Sequence, residues 1–266
     1  MNVCAQTGLS AIIAAAVLAG IAGNAYADPD QPREPMKYNY VVEKVTTGPA
    51  LDSGWESADW KNVKSLAIAN FLTDPKLKVS DHRPQTMVKL VYDDRGVYAL
   101  FQAADKYVKC VNTNFQSATC DDSCVEFFIR PKPSAGPEQG GYFNFEINCG
   151  GAVKCRYTKI DKNDRKISTH PIDRQDRDSL KVFHSLPATV DPEIEKETVW
   201  TIGLFAPFEF LERYVGPLGD RGGQQWRVNF YKCGNKTSHP HYGAWAPVDV
   251  PDFHTPRCFG TLEFGK

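Results

Sequence analysis

The sequence predicts an all-β protein, a two-sheet antiparallel β-sandwich of jelly-roll type with one short helix. Three observations lead there. Short stretches of period-two alternation recur along the chain, separated by Gly, Pro, Asn and Asp turn residues. One segment, Pro207 to Tyr214 (PFEFLERY), reads as a helix with proline in its first turn. No internal repeat, low-complexity block or second composition regime interrupts the pattern, so residues 38–266 read as one domain.

The elements follow in order. Tyr38 to Val45 is a strand candidate. Trp55 to Trp60 (WESADW) is turn-like, its two tryptophans placed to plug the bottom of the sandwich. Thr86 to Tyr92 (TMVKLVY) alternates, Asp93-Asp94-Arg95-Gly96 makes a hairpin turn, and Val97 to Ala103 returns. Cys124 to Arg130 and Tyr142 to Cys149 are the next pair, and Ala152 to Lys159 follows a Gly-Gly turn. Residues 161–178 (DKNDRKISTHPIDRQDRD) lack periodicity and read as a long surface excursion. Val182 to Leu186, Thr198 to Ala206, Gln225 to Cys233 and Phe259 to Phe264 complete the strands. Trp200 and Trp226 sit in apolar strands and are expected in the core.

Before this domain, Leu9 to Gly23 is almost wholly apolar and Ala25-Tyr26-Ala27 is a small-x-small cleavage site. Residues 1–27 therefore read as a secretory signal peptide, although no Lys or Arg precedes the apolar run. Residues 28–37 read as a flexible leader. The expectation is an exported protein, periplasmic or extracellular, with no membrane association after cleavage.

With 31 Lys and Arg against 32 Asp and Glu, the formal net charge is -1 at pH 7. Nucleic acid and anionic membranes call for a basic face, so neither is expected as a partner. Of the eight cysteines, cleavage removes Cys4 and leaves seven. Export permits disulfides, and an odd count leaves at least one thiol over. Cys120-Asp-Asp-Ser-Cys124 has neither the usual zinc spacing nor a haem-attachment spacing, and no metal site or cofactor is expected there. The aspartates of 161–178 allow a structural calcium, although a solvated loop explains them as well. His239, His241 and His254 read as loop histidines. Asn235-Lys236-Thr237 is a glycosylation sequon.

The segment Cys124 to Gly151 carries the chemistry. Alternation puts Val125, Phe127 and Ile129 on one face and Glu126 and Phe128 on the other. Phe143, Phe145 and Ile147 likewise face away from Asn144, Glu146 and Asn148. A strand face of Asn, Glu and Asn suits an exposed sheet, and it equally suits hydrogen bonding to a polyhydroxylated ligand. Glu126 and Glu146 on neighbouring strands could also serve as a glycosidase pair, but no further catalytic motif accompanies them and no enzyme activity is expected.

The ordered set DDRGVYALFQAAD, CVEFFIRP, GYFNFEINCGG, VWTIGLFAPFEFL, WRVNFYKCG, GAWAPV and CFGTLEF resembles carbohydrate-binding module family 9, within the wider sandwich superfamily that includes the DOMON domains. The resemblance spans about residues 38–265. It implies a two-sheet sandwich that binds sugars, in characterised cases at chain ends, with two tryptophans clamping a ring. Glu126 falls where the family places a sugar-binding Glu. Glu146 falls where the best-known binders carry a basic residue. The loop before Cys124 offers Thr119, Cys120 and Asp121 in place of the first clamp tryptophan, with Phe115 the nearest aromatic. Phe253 matches the second clamp position, and Trp245 lies in the block before it.

The reading that follows is an exported, non-catalytic protein that recognises a polysaccharide or oligosaccharide in carbohydrate catabolism, alongside a separate glycoside hydrolase. Its site is the sheet face of Glu126, Asn144 and Glu146, rimmed by Lys232, Tyr242, Trp245 and Phe253. Trp245→Ala and Glu126→Ala are each expected to abolish most binding and leave the fold intact. The alternatives are a sandwich that has lost sugar binding and serves a protein partner through the same face, or a hydrolase-associated module.

Overall fold

A computed structural model describes residues 38–132 and 140–266. The signal and leader readings fall outside the described residues. The first sheet runs β1 (Asn39–Lys44), β14 (Gly260–Phe264), β12 (Gln225–Cys233), β6 (Cys124–Arg130), β7 (Gly141–Asn148), β8 (Val153–Ile160) and β9 (Lys166–Pro171). Beyond the reach of β14, the same edge of β12 pairs with β13 (Tyr242–Ala244), which in turn pairs with β3 (Asn70–Phe71). The second sheet runs β10 (Lys181–His184), β11 (Val190–Pro207), β5 (Gly96–Cys110), β4 (Gln85–Tyr92) and β1, with β2 (Ser65–Ala67) on β4.

The all-β sandwich-like architecture matches the sequence reading, with two differences. The sheet is mixed, because β1 runs parallel to both its neighbours: Asn39 to Val42 pair with β14, and Glu43 and Lys44 with β4. One strand thus joins the two sheets into a single curled sheet. Among the described residues there are also two α-helices rather than one, α1 (Arg174–Ser179) and α2 (Phe208–Val215). The second buries Phe208, Phe210 and Leu211 against the core.

The polar stretch 161–178 folds where a loop was expected. Asp161 accepts backbone N–H groups of Asn163 and Arg165 at 2.8 and 2.9 Å and closes a turn. β9 then adds to β8 as an edge strand, and Asp173 caps α1 by accepting from Asp176 N at 2.7 Å. An edge strand half open to water needs no apolar alternation, so periodicity could not reveal it. Asp164 is paired with Arg130 at 2.7 Å, Asp176 with Arg213 at 2.5 Å and Asp178 with Arg177 at 3.0 Å. The aspartates read as potential calcium ligands are therefore engaged by protein groups.

The core lies between the sheets. Phe127, Phe145 and Phe230, from adjacent strands, stack in a row, with ring centroids 6.0 and 5.2 Å apart. Trp200 and Trp226 are buried with them. Each such side chain contributes about 1.5–3 kcal/mol through burial. Trp60 does not plug an end. It packs with Val91, Tyr98, Leu100 and Phe205 on the outer face of the second sheet, where Trp55 lies under the Lys89 ammonium.

Among the described residues no disulfide is formed. Cys110, Cys120, Cys124, Cys149, Cys155, Cys233 and Cys258 all carry free thiols. Cys110, Cys149 and Cys155 are members of the main apolar cluster, where cysteine serves as a small hydrophobe.

Candidate functional site

The outer face of the first sheet carries one continuous polar row. Tyr231, Glu126, Glu146 and Lys154 stand opposite one another on β12, β6, β7 and β8. Because the inner face of these strands is filled by phenylalanines, alternation turns all four to the other side. Next along the strands, Asn229, Phe128, Asn144 and Arg156 form a second row. On the other side, Cys233, Cys124 and Asn148 form a third.

The two carboxyls of the central row have different partners. Glu146 is bound on both oxygens, by Asn144 Nδ2 and Lys154 Nζ, each at 2.7 Å. Glu126 has no such cation. It takes the Cys233 thiol as donor at 3.1 Å. Burial, and secondarily the charge of Glu146, pushes its carboxyl up to about 8. The shift favours the protonated form of Glu126, which can donate as well as accept, while Glu146 accepts from Asn144 and Lys154.

A pocket of about 170 Å³ opens above this row. Glu126, Glu146, Cys120 and Cys233 are on its lining, together with Lys154 and Asn235. Asn235 Oδ1 is buried and has no protein hydrogen-bond partner. One wall is apolar, from Leu72, Leu77 and Tyr242. Phe253 meets Tyr242 edge-on, with centroids 6.2 Å apart, and belongs to a strap, Pro251 to His254, that continues the lining and is held down by Tyr231 and Tyr142. Phe253 stacks on Tyr231 with centroids 4.0 Å apart, and Tyr231 Oη donates to the Phe253 carbonyl at 3.0 Å. Tyr142 Oη meets His254 Nδ1 at 3.0 Å. Beyond the strap, a second cavity of about 360 Å³ includes Tyr142, Arg156, Asp164 and Lys166, and shares Asp252 and His254 with the first. Asn144 Oδ1 and Arg156 Nε, on opposed residues of the second row, are both buried without a protein partner.

Of the residues singled out in the sequence, Glu126, Glu146, Tyr242 and Phe253 meet at this pocket. Asn144 lies directly beneath, fixing Glu146. Two are elsewhere. Lys232 is fully buried on the core side of β12. There it contacts Asp105 Oδ2 at 3.0 Å and donates to His241 Nε2 at 2.7 Å. Its partners are buried too, and His241, read as a loop histidine, is part of this network. Trp245 is 5% exposed and packs edge-on to Tyr38 in the main core. Lys154, Asn235, Cys120 and Cys233 were not anticipated. The strand reading for Lys154 was in place, but only register against β7 reveals that it faces Glu146.

The model of carbohydrate-binding family 9 matches residues 60–264. The chain belongs to carbohydrate-binding family 9. No curated protein sequence matches it significantly. Among solved structures, a candidate carbohydrate-binding protein of Bacteroides uniformis is similar at 24% identity and TM-score 0.72, covering 85% of this chain and 99% of that one. A family 9 carbohydrate-binding module of Caldicellulosiruptor kristjanssonii, solved with glucose, is similar at 12% identity and TM-score 0.56, covering 86% and 96%. The same kind of module from that organism, solved with cellotriose, matches at 12% identity and TM-score 0.57, covering 85% and 93%. At these identities the likeness is one of fold. The domain is a member of a carbohydrate-binding family.

Proposed function

We propose that this protein binds the end of an oligosaccharide or polysaccharide chain in the Glu126–Glu146 pocket, without cleaving it, as an exported protein of carbohydrate catabolism working beside a separate glycoside hydrolase. The observation that carries this reading is the pairing of two buried carboxyls, Glu126 and Glu146, on the pocket floor with the aromatic side chains of Tyr242 and Phe253. A sugar hydroxyl both donates and accepts, and a ring edge with its C–H face suits a polar floor beside an aromatic wall. The first pocket is small against the roughly 300–1,000 Å³ of larger ligand sites, which favours a single terminal ring. Arg156, on the lining of the second cavity, has an unpartnered Nε that offers a donor to a following residue of the chain. The glucose and cellotriose complexes of the Caldicellulosiruptor modules suggest glucans as the first ligands to try.

Calorimetry with glucose, cellotriose and the hits of a glycan array is the test. Phe253→Ala should weaken binding about 5- to 30-fold, the equivalent of roughly 1–2 kcal/mol of lost stacking. Glu126→Ala should weaken it about 10- to 100-fold, as expected for a polar contact within a desolvated site. Cleavage products appearing in the same incubations would replace binding by hydrolysis, and an array with no hits from folded protein would turn the search to a protein partner for this face.

A further inference from the structure

At the inner end of the pocket floor, Cys124 and Glu126 are two residues apart on β6 and so share its outer face. Cys233 stands directly opposite Cys124 on β12, on the same face. One ligand atom from each of the three, two sulfurs and a carboxylate oxygen, lies within 4.8 Å of the other two. The three residues are buried, and Glu126 and Cys233 also border the pocket. We propose that these three residues form a zinc site whose fourth position opens into the pocket.

Four points support this. A tetrahedral zinc with bonds of about 2.3 Å to sulfur and about 2.1 Å to oxygen places neighbouring ligand atoms a little under 4 Å apart. The observed cluster needs only side-chain adjustment to reach that spacing. The backbone is already committed, since both strands are interior strands of the sheet and the opposing residues are fixed by register. Two thiols with one carboxylate are a donor set for a thiophilic divalent ion and a poor one for calcium or magnesium, which take oxygen ligands. Finally, a buried carboxyl beside the Glu146–Lys154 pair has no cation of its own, and a metal would supply one. On binding, each thiol releases its proton to solvent and becomes a thiolate ligand, and Glu126 does the same with its carboxyl proton. An oxygen of water or of a bound ligand, entering from the pocket, would occupy the fourth position. The site does not depend on the sugar reading, because the metal alone is the probe.

The test is equilibrium dialysis of the reduced full-length mature protein against Zn2+, with metal counted per chain, and cobalt substitution read by its thiolate charge-transfer absorption. One zinc per chain is expected, with a cobalt spectrum characteristic of thiolate ligation. Cys124→Ser and Cys233→Ser should each weaken zinc binding on the order of 100-fold or more, while Cys258→Ser, outside the cluster, should not change it. Glu126→Gln, which keeps the shape of the site, should weaken it as well and guards against a cysteine variant that fails to fold. Absence of bound zinc in the folded, reduced protein would overturn the proposal. So would zinc binding indifferent to both Cys124 and Cys233, or a Cys124–Cys233 cross-linked peptide as the form present in the protein as isolated.

Discussion

Asp105→Ala is expected to lose about 3–5 kcal/mol of stability, the cost of leaving a buried charge without its partner. Both Asp105 and Lys232 are fully buried, and the remaining contacts cannot replace the carboxylate. His82 Nε2 meets Asp105 Oδ1 at 2.7 Å, and Lys232 lies 5.5 Å from the Trp200 ring centre. A loss of this size is a large part of the 5–15 kcal/mol available to a typical domain. Urea denaturation measures it. If the penalty comes from the orphaned ammonium, Asp105→Leu combined with Lys232→Met should be far less damaging than Asp105→Ala alone. Equal losses would place the cost in packing instead.

The same cluster fixes an acid limit. Burial, and secondarily the neighbouring Lys232 ammonium, holds the His241 imidazole well below its ordinary value. Neutral His241 accepts from Lys232 through Nε2, and its Nδ1 donates to the His239 carbonyl at 2.9 Å. A depressed folded value means the unfolded chain takes up a proton first. Stability contributed by His241 is therefore present above about pH 6.5 and is lost as the pH falls below it. For Asp105, burial opposes ionisation, but the Lys232 ammonium and the His82 hydrogen bond outweigh it and hold the carboxyl well below the usual range. Its contribution is complete above about pH 4 and is lost further into acid. Urea midpoints should be level at neutral pH and fall in two stages below it. A midpoint unchanged between pH 7.5 and 5 would count against a buried neutral His241.

Trp245→Ala is expected to cost about 3–5 kcal/mol through a core cavity, rather than to leave the fold intact. Trp245 N donates to the Phe230 carbonyl at 2.9 Å, which pins the segment onto β12, and the indole fills the space over Gly260. A Cβ on Gly260 would come within 2.4 Å of the indole, so Gly260→Ala should also destabilise. Thermal melts of the two variants check this. Any sugar still bound by the folded fraction of Trp245→Ala should be bound with near-wild-type affinity, because the indole does not reach the pocket lining.

Alternation made the central row legible. It turned Glu126, Asn144 and Glu146 away from the phenylalanines without any knowledge of the partner strands. The same rule, applied along β12, groups Lys232 with Trp226, Val228 and Phe230 on the inner face. Its charge argued for the surface, and only Asp105, distant in sequence, makes burial tolerable. Trp245 was hidden for a different reason. Pro- and Gly-rich surroundings announce a loop, but they do not say whether the loop's aromatic turns outward or inward. Lys154 and Asn235 depend on pairing and loop packing between separate elements, which a single sequence does not specify. β9 escaped notice because an edge strand open to water keeps no apolar period.

The strand that joins the two sheets also sets an order of events during synthesis. β1 is the first described strand to be made, yet Asn39 pairs with Thr261 and Val42 with Phe264 on the last one. A chain growing from its N-terminus cannot close this seam until its final strand has emerged. Until then β1 and the inner edge of β12 expose unpaired backbone beside apolar side chains, a state open to misassociation. Such long-range pairing also makes for slow folding. A nascent chain stalled before β14 would thus be a more hazardous species than its nearly complete length suggests.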